Sequence, residues 1–381
     1  MGRISAALCA ALLALAPFSA RADAQRAAHA DAPRPPLRVG TSGDYAPFSS
    51  GGQGFDVDAA RLVADALGRE LVLVPFRWPE LSERVMRDDF DLVMSGVTWR
   101  PERAVIGRMS LAVAVGGPCW IGPTSPKSVA VNRGGVLESF ARAHFPAARI
   151  EAVDANQTLP ARLARGEVEA IVTDSFELGA FARVGQPTHC EPARDRKVWW
   201  VTPAHAAELG PALDPLVRQR EPQLAKLREK WFGGPQRQDE ADHLVDLVAR
   251  RFALMPAVGA WKREHERPIE DTAQEARVLE AVRQRAIDLG LDPAALRDLF
   301  ALEIELSKRI QARAANGDWK PDLDTQLRPK LAELSDRQIE SIALAAPIEA
   351  RALDEATLEP LNELLEPVEV AELAAALSRI R

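Results

Sequence analysis

The chain has 381 residues, 47% of them hydrophobic and 27% charged, a balance that fits folded domains and not a disordered chain. That length exceeds one ordinary core, so two folded units are expected. A formal charge of −7 argues against a nucleic acid partner, which needs a basic surface, so any anion bound here must meet locally gathered cations.

The first residues, "MGRISAALCAALLALAPFSARADA", read as a secretory signal over residues 1–24. Arg3 gives the positive start and Ala6 to Ala16 the apolar run. Ala20-Arg21-Ala22 or Ala22-Asp23-Ala24 offers the small-residue cleavage site. The run is too short to span a bilayer, so no membrane anchor is expected and the mature protein is read as periplasmic. Cys9 leaves with the signal. An even pair, Cys119 and Cys190, then remains in an oxidising compartment, which suggests one disulfide, two separate buried thiols being the alternative.

From residue 37, short apolar runs such as "LRVGTS", "ELVLVPF", "SVAVNRG" and "EAIVTDSF" alternate with amphipathic stretches such as "GFDVDAARLVADALG". That alternation predicts α/β units with mostly parallel sheets over 37–233. "GGPQRQDE" has linker composition. Beyond it Ala, Leu, Glu and Arg dominate with helical periodicity, which predicts an all-α bundle over 241–381 whose last segment, from Arg351, is helical too. Arg251 and Lys262 stand eleven positions apart, about three turns, so on one continuous helix they share a face on the order of 16 Å apart. Pro256 between them predicts a kink.

The motifs "GDYAPF", "WPEL", "DLVMSGVTWRPER", "VNRGG…ESFARA" and "VTDSFE" carry a resemblance over residues 37–233. The segment resembles the family 3 periplasmic solute-binding proteins, and within that fold the cyclohexadienyl dehydratases, which convert prephenate, and often arogenate, to phenylpyruvate or phenylalanine. The resemblance implies a type II periplasmic-binding-protein fold of two α/β lobes closing on a ligand. It makes Glu177 the acid that protonates the leaving ring hydroxyl, a role for a carboxyl sheltered from water. Arg103 presents a planar fork to a carboxylate beside the Thr98 hydroxyl. Asn132, Gly134 and Gly135 lead into a helix whose first N–H groups can hold an anion. Tyr45 and Trp78 are read as walls against the ring, and Asp174 as the group that meets a ligand amino group in a binding protein of this type. Two departures stand out: Val136-Leu137 replaces a polar pair after the glycines, and Pro118 lies where the family has a lysine.

"RFALMPAVGAWKREHERPIEDTAQEARVLEAV" with "LDPAALRDLFALEIELSKRIQ" resembles the all-helical chorismate mutases, especially the secreted subclass. The resemblance places Arg251 and Lys262 on the ligand carboxylates, Lys262 and Gln311 on the ether oxygen, and Ser307 against the ligand. Arg337 takes the remaining carboxylate, and Asp271 or Glu275 accepts from the substrate hydroxyl. Gln274 stands where many relatives have arginine. Such a rearrangement needs no nucleophile, only a held conformer and donors for the breaking bond.

The two resemblances fit one route. Their implied partners are small molecules, chorismate and prephenate (or arogenate), with no cofactor or metal suggested; the oligomeric state stays open, a homo-oligomer included. An amino-acid or aromatic-acid binding protein fused to a mutase is the alternative reading.

Overall fold

The computed structural model describes residues 34–233, 239–315, 317 and 319–380; the segment read as a secretory signal lies outside them. In chain order the first half begins with β1 (Leu37–Thr41), the hairpin β2 (Asp44–Tyr45) and β3 (Ser49–Ser50), α1 (Phe55–Leu67), β4 (Leu71–Pro75), β5 (Leu92–Val93) and β6 (Arg108–Met109). It crosses on β7 (Ala114–Gly116) to β8 (Pro118–Ile121), β9 (Ser128–Asn132), α2 (Val136–His144), β10 (Arg149–Val153), β11 (Ala170–Asp174) and β12 (Thr188–Cys190). It returns on β13 (Asp195–Lys197) to β14 (Trp200–Val201), α3 (Ala206–Gln219) and α4 (Glu221–Phe232).

Two five-stranded sheets result, ordered β4-β1-β5-β14-β6 and β10-β9-β11-β8-β12. β1 runs parallel to β4 and β5, and β9 parallel to β10 and β11, while β14 and β8 join antiparallel. The apolar run of β11, "AIVTD", is buried along its whole length, as a strand covered on both faces must be. β7 and β13 pair antiparallel and carry the two crossings between lobes. Cys119 and Cys190 face each other across β8 and β12 and are joined by a disulfide.

The second half contains α5 (Glu240–Ala253), α6 (Met255–Glu264), α7 (Thr272–Asp288), α8 (Pro293–Arg313), α9 (Arg328–Ala345) and α10 (Pro367–Leu377). Side-chain caps start three of them: Asp239 accepts from the Ala241 and Asp242 amides, Asp271 from that of Gln274, and Asp292 from those of Ala294 and Ala295. The single kinked helix expected through Pro256 is instead two helices. α5 stops at Ala253 and α6 restarts at Met255, placing Pro256 in a first turn, where a missing N–H leaves no bond unmade.

One apolar cluster takes in Val39 and Leu213 of the first lobe together with Leu244 and Phe300 of the helical half. Charge reinforces that junction through α9. Its Lys330 donates to the Gly107 carbonyl at 3.0 Å, and Arg337 grips Asp214 of α3 with two bonds, 2.6 and 3.0 Å. Arg250 of α5 donates to the Ser110 carbonyl at 2.7 Å, and its neighbour Asp246 faces Arg196 of β13 at 3.6 Å. The final segment is helical and tied to the crossing as well: Arg194 pairs with Glu359 and Glu363 at 2.7 and 2.8 Å.

Burial opposes charge on Asp214, but Arg337 and Arg108 outweigh it and hold its carboxyl below the usual range. Its contribution to stability is therefore complete above the ordinary aspartate value and is lost as pH falls through the lowered folded value. Asp214→Ala leaves Arg337 buried with one partner fewer and should cost about 3 kcal/mol in urea unfolding at neutral pH, the gap to wild type narrowing in strong acid.

Candidate functional site

The cleft between the lobes gathers Glu177, Asp174, Asn132 and Gly135 from the second lobe and Tyr45, Trp78, Thr98 and Arg103 from the first, around a volume of about 60 Å3. Glu177 lies three residues past β11, only 2% exposed. Its Oε2 accepts from the Thr173 hydroxyl at 2.8 Å and its Oε1 from the Asn156 amide at 2.5 Å. Burial pushes its pKa up to about 8; these two bonds pull the other way, and nearby Asp174 adds to the rise. A carboxyl in that state holds a proton at neutral pH and can deliver it.

Arg103 is turned to the Thr98 carbonyl at 3.1 Å, and burial lowers its pKa to about 10, so it stays charged. Tyr45 meets Trp78 edge to face, ring centres 6.0 Å apart. Gly96, at φ 64, lets Tyr45 close in: a Cβ there would sit 2.5 Å from the tyrosine ring.

Two expectations for the cleft are corrected. Gly134 does not line it; its amide donates to Glu138 of the same turn at 2.8 Å, so the helix's own carboxylate fills the anion position. A lysine is also present after all. Lys197 comes from β13, not from the strand at Pro118, and donates to Asp174 at 2.7 Å, Thr98 at 3.0 Å and the Tyr45 hydroxyl at 3.1 Å. Its signal in the sequence was the charge set against the apolar run "KVWW". Asn156, in "DANQT", had none.

The second site lies inside the helical half, a cavity of about 280 Å3. Arg251, Lys262, Asp271, Glu275, Ser307 and Gln311 all line it. Arg251 is held by Glu303, which is fully buried, at 2.7 Å, and Gln338 bonds the other Glu303 oxygen. Lys262 donates to the Ile269 carbonyl at 2.5 Å, and burial lowers its pKa. Asp271 caps α7, accepting from the Gln274 amide, and Glu275 takes the Asp271 N–H at 3.1 Å. Among the described residues no partner meets Arg251 Nε, Ser307 Oγ or Gln311 Oε1. Unsatisfied buried polar atoms aimed at a cavity are the expected marks of a ligand site. Gly259 lets α6 and α8 close up here, since a Cβ on it would lie 2.5 Å from the Gln311 carbonyl.

Arg337 is the clear miss. It faces Asp214 and Glu333 at the junction with the first lobe and does not line the cavity. The arginine that α9 does bring to the cavity is Arg328, its first residue, set there by a π-helical turn over Leu323–Leu327; Arg285 and Lys308 join it. Gln274 lines the same wall. Arg328 and Arg337 stand nine positions apart, about two and a half turns, so they face opposite sides of α9, and sequence alone could not say which side meets the cavity.

The model of the bacterial extracellular solute-binding proteins, family 3, matches residues 37–234, just over half of the chain. The chain belongs to that family. After that match it carries a chorismate mutase type II domain, matched over residues 238–312. A cyclohexadienyl dehydratase of Pseudomonas aeruginosa is 36% identical over 160 residues, 37% of this chain and 60% of that protein. A secreted chorismate mutase of Yersinia pestis is 31% identical over 104 residues, 26% of this chain and 56% of that protein. The chain thus spans under two thirds of either relative. A solved ancestral amino acid-binding protein, described as a precursor of cyclohexadienyl dehydratase, is 28% identical over 51% of this chain and 94% of its own, with a TM-score of 0.47.

Because Glu177 has a raised folded pKa, the stability it supports is complete below the ordinary glutamate value and is lost as pH rises through about 8. Glu177→Gln keeps the shape without the charge. It should match wild type in thermal unfolding near pH 4 and pull ahead as pH rises from the ordinary glutamate value toward about 8, by on the order of 5 kcal/mol, the gap then levelling off. Equal curves at pH 9 would show that the carboxylate is not desolvated. A separate check concerns the helical cavity: Glu303→Leu strips Arg251 of its buried partner and should lower affinity for an anionic mutase inhibitor about tenfold or more, read by calorimetry.

Proposed function

We propose that this is an exported bifunctional enzyme of phenylalanine biosynthesis, turning chorismate into prephenate in its helical half and prephenate into phenylpyruvate in its cleft. The observation that carries the reading is the buried, proton-holding Glu177 in the first site beside a separate cation-lined cavity in the second. The similarity to a dehydratase in one half and a mutase in the other supports it. Export is supported by the same family and by the secreted relative.

In the helical cavity Arg251, Lys262 and Arg328 meet the two carboxylates of chorismate and fold it into the reactive conformer. Arg328 takes the part first given to Arg337, and offsets the neutral Gln274. Lys262 and the Gln311 amide donate to the ether oxygen as its bond breaks, where charge gathers. Among the described residues the Gln311 amide nitrogen donates only to the Met255 sulfur, at 3.5 Å, a weak acceptor that it gives up readily. Ser307 and either Asp271 or Glu275 hold the remaining hydroxyl groups.

In the cleft Arg103 and Thr98 anchor a carboxylate, with Asn132 and the Gly135 turn beside it and Tyr45 and Trp78 against the ring. Glu177 gives its proton to the ring hydroxyl. The bond from ring carbon to carboxylate breaks, carbon dioxide leaves, its electron pair aromatises the ring, and the protonated hydroxyl departs as water. Prephenate plus one proton thus becomes phenylpyruvate, carbon dioxide and water.

A coupled assay on protein lacking residues 1–24 tests both steps. Chorismate should be consumed and phenylpyruvate formed. Lys262→Ala should slow chorismate consumption about a thousandfold while added prephenate is still processed, and Glu177→Gln should do the converse, binding prephenate without turning it over. Prephenate bound by wild type without turnover would make the cleft a receptor. The pH profiles should also part: dehydration falls as pH rises through about 8, where Glu177 loses its proton, whereas the mutase step, built on the neutral Gln311 amide, stays flat from pH 5 to 7.5.

A further inference from the structure

The cleft already contains an ammonium group. Lys197 Nζ lies 2.7 Å from Asp174 Oδ2, and both side chains are at most 2% exposed. Its other two protons reach Thr98 Oγ1 at 3.0 Å and the Tyr45 hydroxyl at 3.1 Å, so all three N–H bonds are used. The other Asp174 oxygen accepts from the Phe176 amide at 3.0 Å and lies 3.4 Å from the Ser175 hydroxyl. Both Asp174 oxygens are therefore already met by its own chain, and its charge is paired with Lys197. The second carboxyl lining the cleft, Glu177, carries a proton at neutral pH and bonds to Asn156 and Thr173. Arg103, the remaining charge on the lining, is positive.

A ligand ammonium entering this cleft finds no free carboxylate among the described residues that line it and is placed beside a second cation. A ligand that carries a carboxylate and a carbonyl instead meets Arg103 and several hydroxyl and amide donors. Sites that leave a buried charge unpaired reject the ligand concerned by large factors, because the lost solvation is not replaced. We propose that Lys197 is a specificity-determining residue that fills the amino-group position of the cleft, so that the site takes 2-oxo acids and discriminates against the corresponding 2-amino acids. This rests on the cleft assigned above as the dehydratase site, and it narrows the substrate from the prephenate and arogenate pair to prephenate.

Two measurements separate the failure of this idea from failure of the enzyme reading. In turnover, wild type should show kcat/KM for prephenate about a hundredfold or more above that for arogenate; equal values would overturn the proposal while leaving the enzyme in place. In binding, calorimetry with phenylpyruvate and with L-phenylalanine needs no chemistry. Heat from the oxo acid alone supports the proposal even if nothing is turned over, and heat from the amino acid at equal or greater affinity sinks it. Lys197→Met frees Asp174 and should shift preference toward the amino acid, whereas Lys197→Arg keeps the positive charge and the oxo-acid preference. Should Lys197→Met not fold, the wild-type comparison still decides; a folded Lys197→Met with unchanged preference would count against the assignment.

Discussion

Taking a positive side chain out of water costs several kcal/mol unless an anion is set against it, and that constraint organises this chain. Four buried cations each face a named carboxylate: Lys197 with Asp174, Arg250 with Asp246, Arg251 with Glu303 and Arg337 with Asp214. Two of these pairs border sites, Arg337 with Asp214 fastens α9 to α3, and Arg250 with Asp246 lies within α5. Lys262 differs, since its buried ammonium leans on a backbone carbonyl and its pKa is lowered by burial. A cation whose hydrogen bond goes to a neutral carbonyl, with Asp271 and Glu275 acting on it only through space, has much to gain from an arriving dianion.

The same constraint explains what could be read in advance. The class of each half followed from periodicity, because an alternating pattern and a helical pattern cannot build the same layers. Glu177, Arg103, Thr98, Arg251, Lys262, Ser307 and Gln311 all line the places assigned to them, because their motifs fix short-range geometry. What escaped was long-range pairing. Arg337 and Arg328 stand on one helix, and only the packing of α9 against α3 decides that the first neutralises Asp214 while the second reaches the cavity. Gly134 failed for a related reason: Glu138, four residues on, competes for the amide that a ligand was expected to use. Lys197 was missed because its partner, Asp174, stands on a strand of the second lobe, a long-range pairing that no local motif announces.

α9 works on two sides. Arg328, Leu331, Ser335 and Ile339 face the helical cavity, and Lys330, Glu333 and Arg337 face the first lobe. The spacing of each set by three and four residues is the helix repeat used twice, once for a ligand and once for a fused neighbour. The wall of one site is therefore also the floor on which the other domain rests.

The crossing strands carry a mechanical consequence. On β13, Arg196 turns toward Asp246 of the helical body and the next residue, Lys197, turns into the cleft. Gly107, Ser110 and Asp214, all on the first-lobe side, are fastened to the same body. These contacts join the first lobe and the bundle into one body, so any relative displacement of the lobes would have to be taken up by the second lobe. β7 and β13, paired with each other and held to the bundle through Arg196 and Asp246, are then the stretch of chain in which that bending would be concentrated.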